Sequence, residues 1–160
     1  MDTLAHGLLT YTISRVPQKP LRSWWLLVGF GMLPDAVWIV GSVFGIPFDA
    51  LYRMSHSLTV WAVISTVALL ITRRAFAFTW PWALHILVDI PGHTVASGSE
   101  LMAKGPLTPF LWPLSDFTLR GWWNWLDVRW IVGTYFGIGI TLGIVEWRRR
   151  RTFRHVVDSR

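Results

Sequence analysis

The 160-residue chain contains no cysteine, which excludes disulfides, thiolate metal ligands and thiol nucleophiles. Charge is scarce too: Asp, Glu, Lys and Arg make up 15% of the residues, against about a quarter in soluble chains. The N-terminus has no succession of basic region, short apolar region and cleavage site, so a secretory signal is not expected there. No GxSxG elbow, phosphate-cradling P-loop or HExxH pair occurs, so none of the chemistries they carry is signalled. Internal repeats and low-complexity linkers are also missing.

What is present is apolar surface. Hydrophobic residues make up 52% of the chain, twelve are tryptophan, and the mean hydropathy is +0.42. The length fits one domain. These features predict an all-α fold, a polytopic membrane helical bundle of about four to five helices over residues 1–160. The formal charge of +6 does not point to nucleic acid. Arg15, Lys19 and Arg22, then Arg73-Arg74, then Arg148 to Arg151 flank apolar runs, as membrane topology signals do. They predict a cytoplasmic C-terminus with a solvated basic tail over 148–160.

The apolar runs are Trp24 to Phe44, Leu58 to Thr72, Ala75 to Ile90 and Trp130 to Trp147, preceded by a shorter stretch over residues 3–14. That first stretch is too short to cross a bilayer core of about 30 Å upright. Gly45 to Ser55 reads as a loop. Residues 95–129, rich in Gly, Pro and Trp, read as a long outer loop able to act as a lid or as an interfacial aromatic belt. Gly139 and Gly143 have the GxxxG spacing that lets helices approach closely.

The chemistry concentrates in WALHILVDIPGHT, Trp82 to Thr94. His85 and Asp89 stand four apart, which puts them on one helix face with about 5–6 Å between side chains. Pro91 and Gly92 end the helix, and His93 lies just beyond. Asp35 falls mid-run after Pro34, where an unpaired carboxylate costs about 2.5–3.5 kcal/mol even on insertion scales. It must be protonated, paired or on a metal; a carboxyl capping a proline kink is the other reading. His56 opens its run within Ser55-His56-Ser57, and His6 sits in the first stretch. Each alone also reads as a histidine meeting water.

Placing the basic clusters inside brings His6, Asp35, His56, His85 and Asp89 to one depth in the outer half, with His93 just outside. Six candidate ligands without sulfur fit one or two ions of Zn²⁺, or of Mn²⁺ or Fe²⁺, ahead of Ca²⁺ or Cu(I). His56, His85 and Asp89 lead. Asp35 or Asp116 can serve as general base, and Arg53 or Arg120 can bind a phosphate.

MDTLAHGLL around His6, LPD at Asp35, SHSL around His56, HILVDIPGH from His85 to His93 and TPFLWPLSDF through Asp116 touch about three quarters of the chain. In this order they resemble the YdjM-type, LexA-regulated, inner-membrane-associated metal-dependent hydrolases. That family is similar to the zinc-dependent phospholipase C and single-strand nuclease group. The resemblance implies a prokaryotic cytoplasmic-membrane hydrolase of a phosphoester, such as a lipid headgroup. Two positions depart from the family pattern, with Val37 in place of a second carboxylate and Tyr52 in place of a histidine. They leave a mononuclear enzyme, or a relative that kept the fold and lost catalysis. The rival class is therefore an accessory or scaffold subunit of a larger membrane complex, with membrane lipids, that complex or further copies of the chain as partners. A histidine ligating a pigment or haem belongs to the same class, and a transporter is a third reading.

Overall fold

A computed structural model describes residues 2–16, 23–92, 111–115 and 127–158. The described residues are helical with connecting turns: α1 Thr3–Ser14, α2 Trp24–Val43, α3 Phe48–Ser55, α4 Leu58–Ile71, α5 Arg73–Phe76, α6 Trp80–Gly92 and α7 Val128–Asp158. The expected all-α class holds. Among the described residues one helix, over Val128–Arg151, is long and apolar enough to cross a membrane, with mean hydropathy 1.5. Trp24–Val37 and Leu58–Ile71 are shorter apolar segments.

Two local expectations change. The stretch 45–55 is not all loop, because α3 occupies its second half. Pro47 precedes α3 in extended backbone, and Leu51, Tyr52 and Ser55 turn inward from one face. The run Ala75 to Ile90 is likewise not one helix. Thr72 caps the short α5 by accepting from the Arg74 N–H at 3.3 Å, and a turn over 77–79 separates α5 from α6. Pro81 has no N–H to return to the Ala77 carbonyl, so a helix continuous from α5 would lack that bond. At 13 residues α6 is about 20 Å long, short of a bilayer core.

Helix α2 lies at the centre and packs against α1, α3 and α6. Trp82 and Ile86 of α6 form the buried centre, with Leu33, Leu58, Val60, Trp61 and Ile90 against them. Two tryptophans brace this arrangement through their indole N–H groups. Trp82 donates to the Ser55 carbonyl at 2.6 Å and Trp61 to the Thr79 carbonyl at 2.8 Å.

Glycines set the closeness of α2 to its neighbours. A Cβ at Gly41 would meet Leu51 Cδ1 at 2.0 Å, and one at Gly31 would meet Thr10 Oγ1 at 2.3 Å. A Cβ at Gly139 would meet nothing within 4 Å. Gly41→Ala should therefore cost about 1–3 kcal/mol by overpacking, read as a lowered midpoint in thermal denaturation in detergent. Gly139→Ala should leave that midpoint unchanged or raise it slightly, since alanine favours the helix. Equal midpoints for the two variants would contradict the packing described.

Helix α1 runs parallel to α7. Asp2 caps α1 by accepting from the Ala5 N–H at 3.0 Å, and the same carboxylate oxygen accepts from the Tyr135 hydroxyl at 2.6 Å. At the other end of α1, Arg15 Nε donates to Glu146 Oε1 at 2.7 Å. Arg15 thus stands at the same end of α7 as Arg148 to Arg151, while Asp2 and Thr3 lie toward its opposite end.

Candidate metal centre

Four helical segments deliver the polar groups to one place. Asp35 follows Pro34 within α2, His56 ends α3 just before α4, His85 and Asp89 come from one face of α6, and His6 comes from α1. His6, His56, His85 and Asp89 are all buried. Asp35 is the donor that reaches the surface, with 15% of its side chain exposed.

Asp35, His56, His85 and Asp89 can together hold a metal ion: each offers one ligand atom, all four within 4.8 Å of one another. His85 Nε2 stands 3.3 Å from His56 Nε2, 3.3 Å from Asp89 Oδ2 and 3.6 Å from Asp35 Oδ1. His56 Nε2 stands 3.5 Å from Asp89 Oδ2 and 3.8 Å from Asp35 Oδ1.

The outer bonds decide which lone pairs face inward. His85 Nδ1 lies 2.7 Å from the Gly31 carbonyl. His56 Nδ1 lies 3.2 Å from the Tyr52 carbonyl and 2.9 Å from Ser55 Oγ. A carbonyl only accepts, so in each imidazole Nδ1–H is the donor and Nε2 is the nitrogen turned to the centre. Burial pushes the His56 imidazole below its usual range, which keeps it in the neutral ligand form. Tyr52 stacks on the His56 ring, centroids 3.9 Å apart at 16°, and holds its plane.

The carboxylates are held in the same manner. Thr3 Oγ1 donates to Asp35 Oδ2 at 2.7 Å, leaving Oδ1 toward the histidines. His6 Nε2 lies 2.8 Å from Asp89 Oδ1, leaving Oδ2 inward. Two imidazole Nε2 atoms and two carboxylate oxygens thus converge in a largely buried space. Two carboxylates brought together with two imidazoles require a shared positive charge between them, a cation or a proton.

The tertiary structure therefore brings together five of the six candidate ligands, with His6 on Asp89 and outside the group of four. His93 lies outside the described residues, as do Asp116, Arg120 and most of the tryptophan-rich segment. Of that segment, the Trp112 carbonyl accepts from the Ser57 hydroxyl, which also caps α4. Sequence reasoning misses Thr3, Gly31 and the Tyr52 carbonyl. Thr3 and His6 have a legible signal, since residues three apart share a helix face. The backbone carbonyls leave none, because any residue supplies one. Comparison with protein-family profiles, with curated proteins and with solved structures finds no match for this chain.

Proposed function

We propose that this chain is a polytopic membrane protein that holds one divalent metal ion, zinc foremost, and hydrolyses a phosphoester. The observation that carries the reading is the convergence of two imidazoles and two carboxylates, three of the four groups buried, with one ligand atom from each within 4.8 Å of the others. Four donors at about 2.0–2.1 Å from one tetrahedral ion lie about 3.3–3.4 Å apart. Five of the six separations, 3.3, 3.3, 3.5, 3.6 and 3.8 Å, approach that figure. Two imidazoles and two carboxylates also balance a doubly charged ion, and they suit Zn²⁺, Mn²⁺ or Fe²⁺ by ligand type.

A divalent ion held there supplies Lewis acidity toward a phosphoryl oxygen and toward water. The chain's own groups do the rest. His56 and His85 are fixed in plane through their Nδ1–H bonds, with Nε2 toward the centre. Asp35, at the exposed edge, is the ligand that would give way to water and substrate, and the carboxylate oxygen freed in this way would accept the proton of the attacking water. Basic residues at one end of α1 and α7 support an orientation with that end cytoplasmic and the site toward the outer side. Helices α2 and α4 are then the further membrane elements.

The test is metal content by mass spectrometry on detergent-purified protein, with phosphodiester hydrolysis assayed in parallel. About one equivalent of Zn, Mn or Fe, and activity removed by a chelator and restored by the metal, are expected. Protein that stays metal-free after loading would overturn the reading. Metal retained without hydrolysis of any phosphoester would leave the centre and remove the reaction, favouring the accessory-subunit class.

A further inference from the structure

Helix α1 engages the outward oxygen of each of the centre's two carboxylates. Thr3 holds Asp35 Oδ2 at 2.7 Å and His6 holds Asp89 Oδ1 at 2.8 Å. The two residues stand three apart and share one face of α1. The His6 ring is fixed further by stacking on His85, centroids 3.6 Å apart at 23°. On the reading that the four groups hold a metal, we infer that Thr3 and His6 are positioning residues. They restrict Asp35 and Asp89 to one ligand oxygen each and so make the centre a single four-coordinate site for a small divalent cation.

Three observations carry this. The His6–Asp89 separation of 2.8 Å is a hydrogen-bond distance, shorter than the about 3.3–3.4 Å between two donors that share a tetrahedral ion. His6 is therefore a partner of Asp89 and not a fifth ligand. Both carboxylates point a single oxygen at the histidines, and the other oxygen of each is engaged by α1. The ligand set itself is complete without α1, since α2, α6 and the α3–α4 junction supply all four groups. Freed from α1, a carboxylate can turn and bind through both oxygens, as larger cations such as Ca²⁺ favour.

The position of α1 is in turn set by α7. Tyr135 donates to Asp2, the residue that caps α1 next to Thr3. The membrane-crossing helix thereby fixes the register of the helix that orients the carboxylates.

Cobalt(II) reads coordination directly, because four-coordinate sites lack an inversion centre and absorb visible light far more strongly than six-coordinate ones. The full chain in detergent, loaded with Co²⁺, should show strong four-coordinate bands. Thr3→Val and His6→Phe should weaken those bands, lower Zn²⁺ affinity about 10–100-fold, and raise Ca²⁺ competition. Thr3→Ser, which restores only the hydroxyl, should restore the spectrum. Four-coordinate bands unchanged in Thr3→Val and His6→Phe would overturn the positioning role while leaving the metal centre standing. Weak six-coordinate bands in the unaltered chain would overturn it as well. No Co²⁺ or Zn²⁺ bound by the unaltered chain would instead sink the metal centre itself. His6→Phe keeps the ring stacked on His85, and Thr3→Val keeps side-chain size, so loss of fold is not the expected route.

Discussion

Asp89→Asn should abolish divalent-metal binding and, with it, the hydrolysis proposed above, the largest effect expected of any single substitution. Asp89 is buried, accepts from His6 through Oδ1, and turns Oδ2 toward His56 and His85 at 3.5 and 3.3 Å. Removing an outer partner of a metal ligand costs about 10–100-fold in affinity, so loss of a charged ligand should exceed about 100-fold. Asparagine keeps the shape and removes the charge. Folding without metal should therefore suffer less than in Asp89→Ala, where a broken buried pair costs about 3–5 kcal/mol. Isothermal titration with Zn²⁺ and thermal denaturation of the metal-free protein measure the two effects separately. Zinc affinity unchanged in Asp89→Asn would mean that the four groups do not form the binding site.

The second large effect is at a residue with no functional group. Gly31→Ala should impair both stability and metal binding, because this position serves two contacts. Its missing side chain admits Thr10, whose Oγ1 would stand 2.3 Å from a new Cβ. Its carbonyl accepts from His85 Nδ1 at 2.7 Å. Forcing α1 and α2 apart should cost about 1–3 kcal/mol. Displacing the carbonyl loosens the His85 ring, and zinc affinity should fall about 10–100-fold. Adding Thr10→Ala removes the clashing hydroxyl and should recover much of both losses. A double variant as impaired as Gly31→Ala alone, by denaturation and zinc titration, would show that the clash is not the cause.

Much of the centre is legible in the linear chain. Ionisable side chains are rare here and costly in an apolar run, so His6, Asp35, His56, His85 and Asp89 stand out by chemical type. The His85–Asp89 pairing follows from helix periodicity alone. Their convergence follows from a coarse topological argument that counts segments and depths, although the run Ala75 to Ile90 is shorter as a helix than its apolarity suggests. Pro81, which looks like one more residue of that run, marks where α5 and α6 part. Helix α3 is hidden because Gly45 and Pro47 suggest a loop, and its inward face of Leu51, Tyr52 and Ser55 acquires meaning only against α2 and α6.

Residue type and spacing within single segments therefore suffice for an all-helical, apolar chain, for six candidate ligands that include the four groups brought together, and for the absence of sulfur among them. A linear string records all of these. Which lone pair of each group faces inward is settled in three dimensions instead. That choice rests on Thr3 against Asp35, His6 against Asp89, and the Gly31 and Tyr52 carbonyls against two imidazoles. Three of these four contacts join residues from different helices, 32, 83 and 54 positions apart. Their strength depends on distance and angle in space, and no local pattern in the chain encodes either.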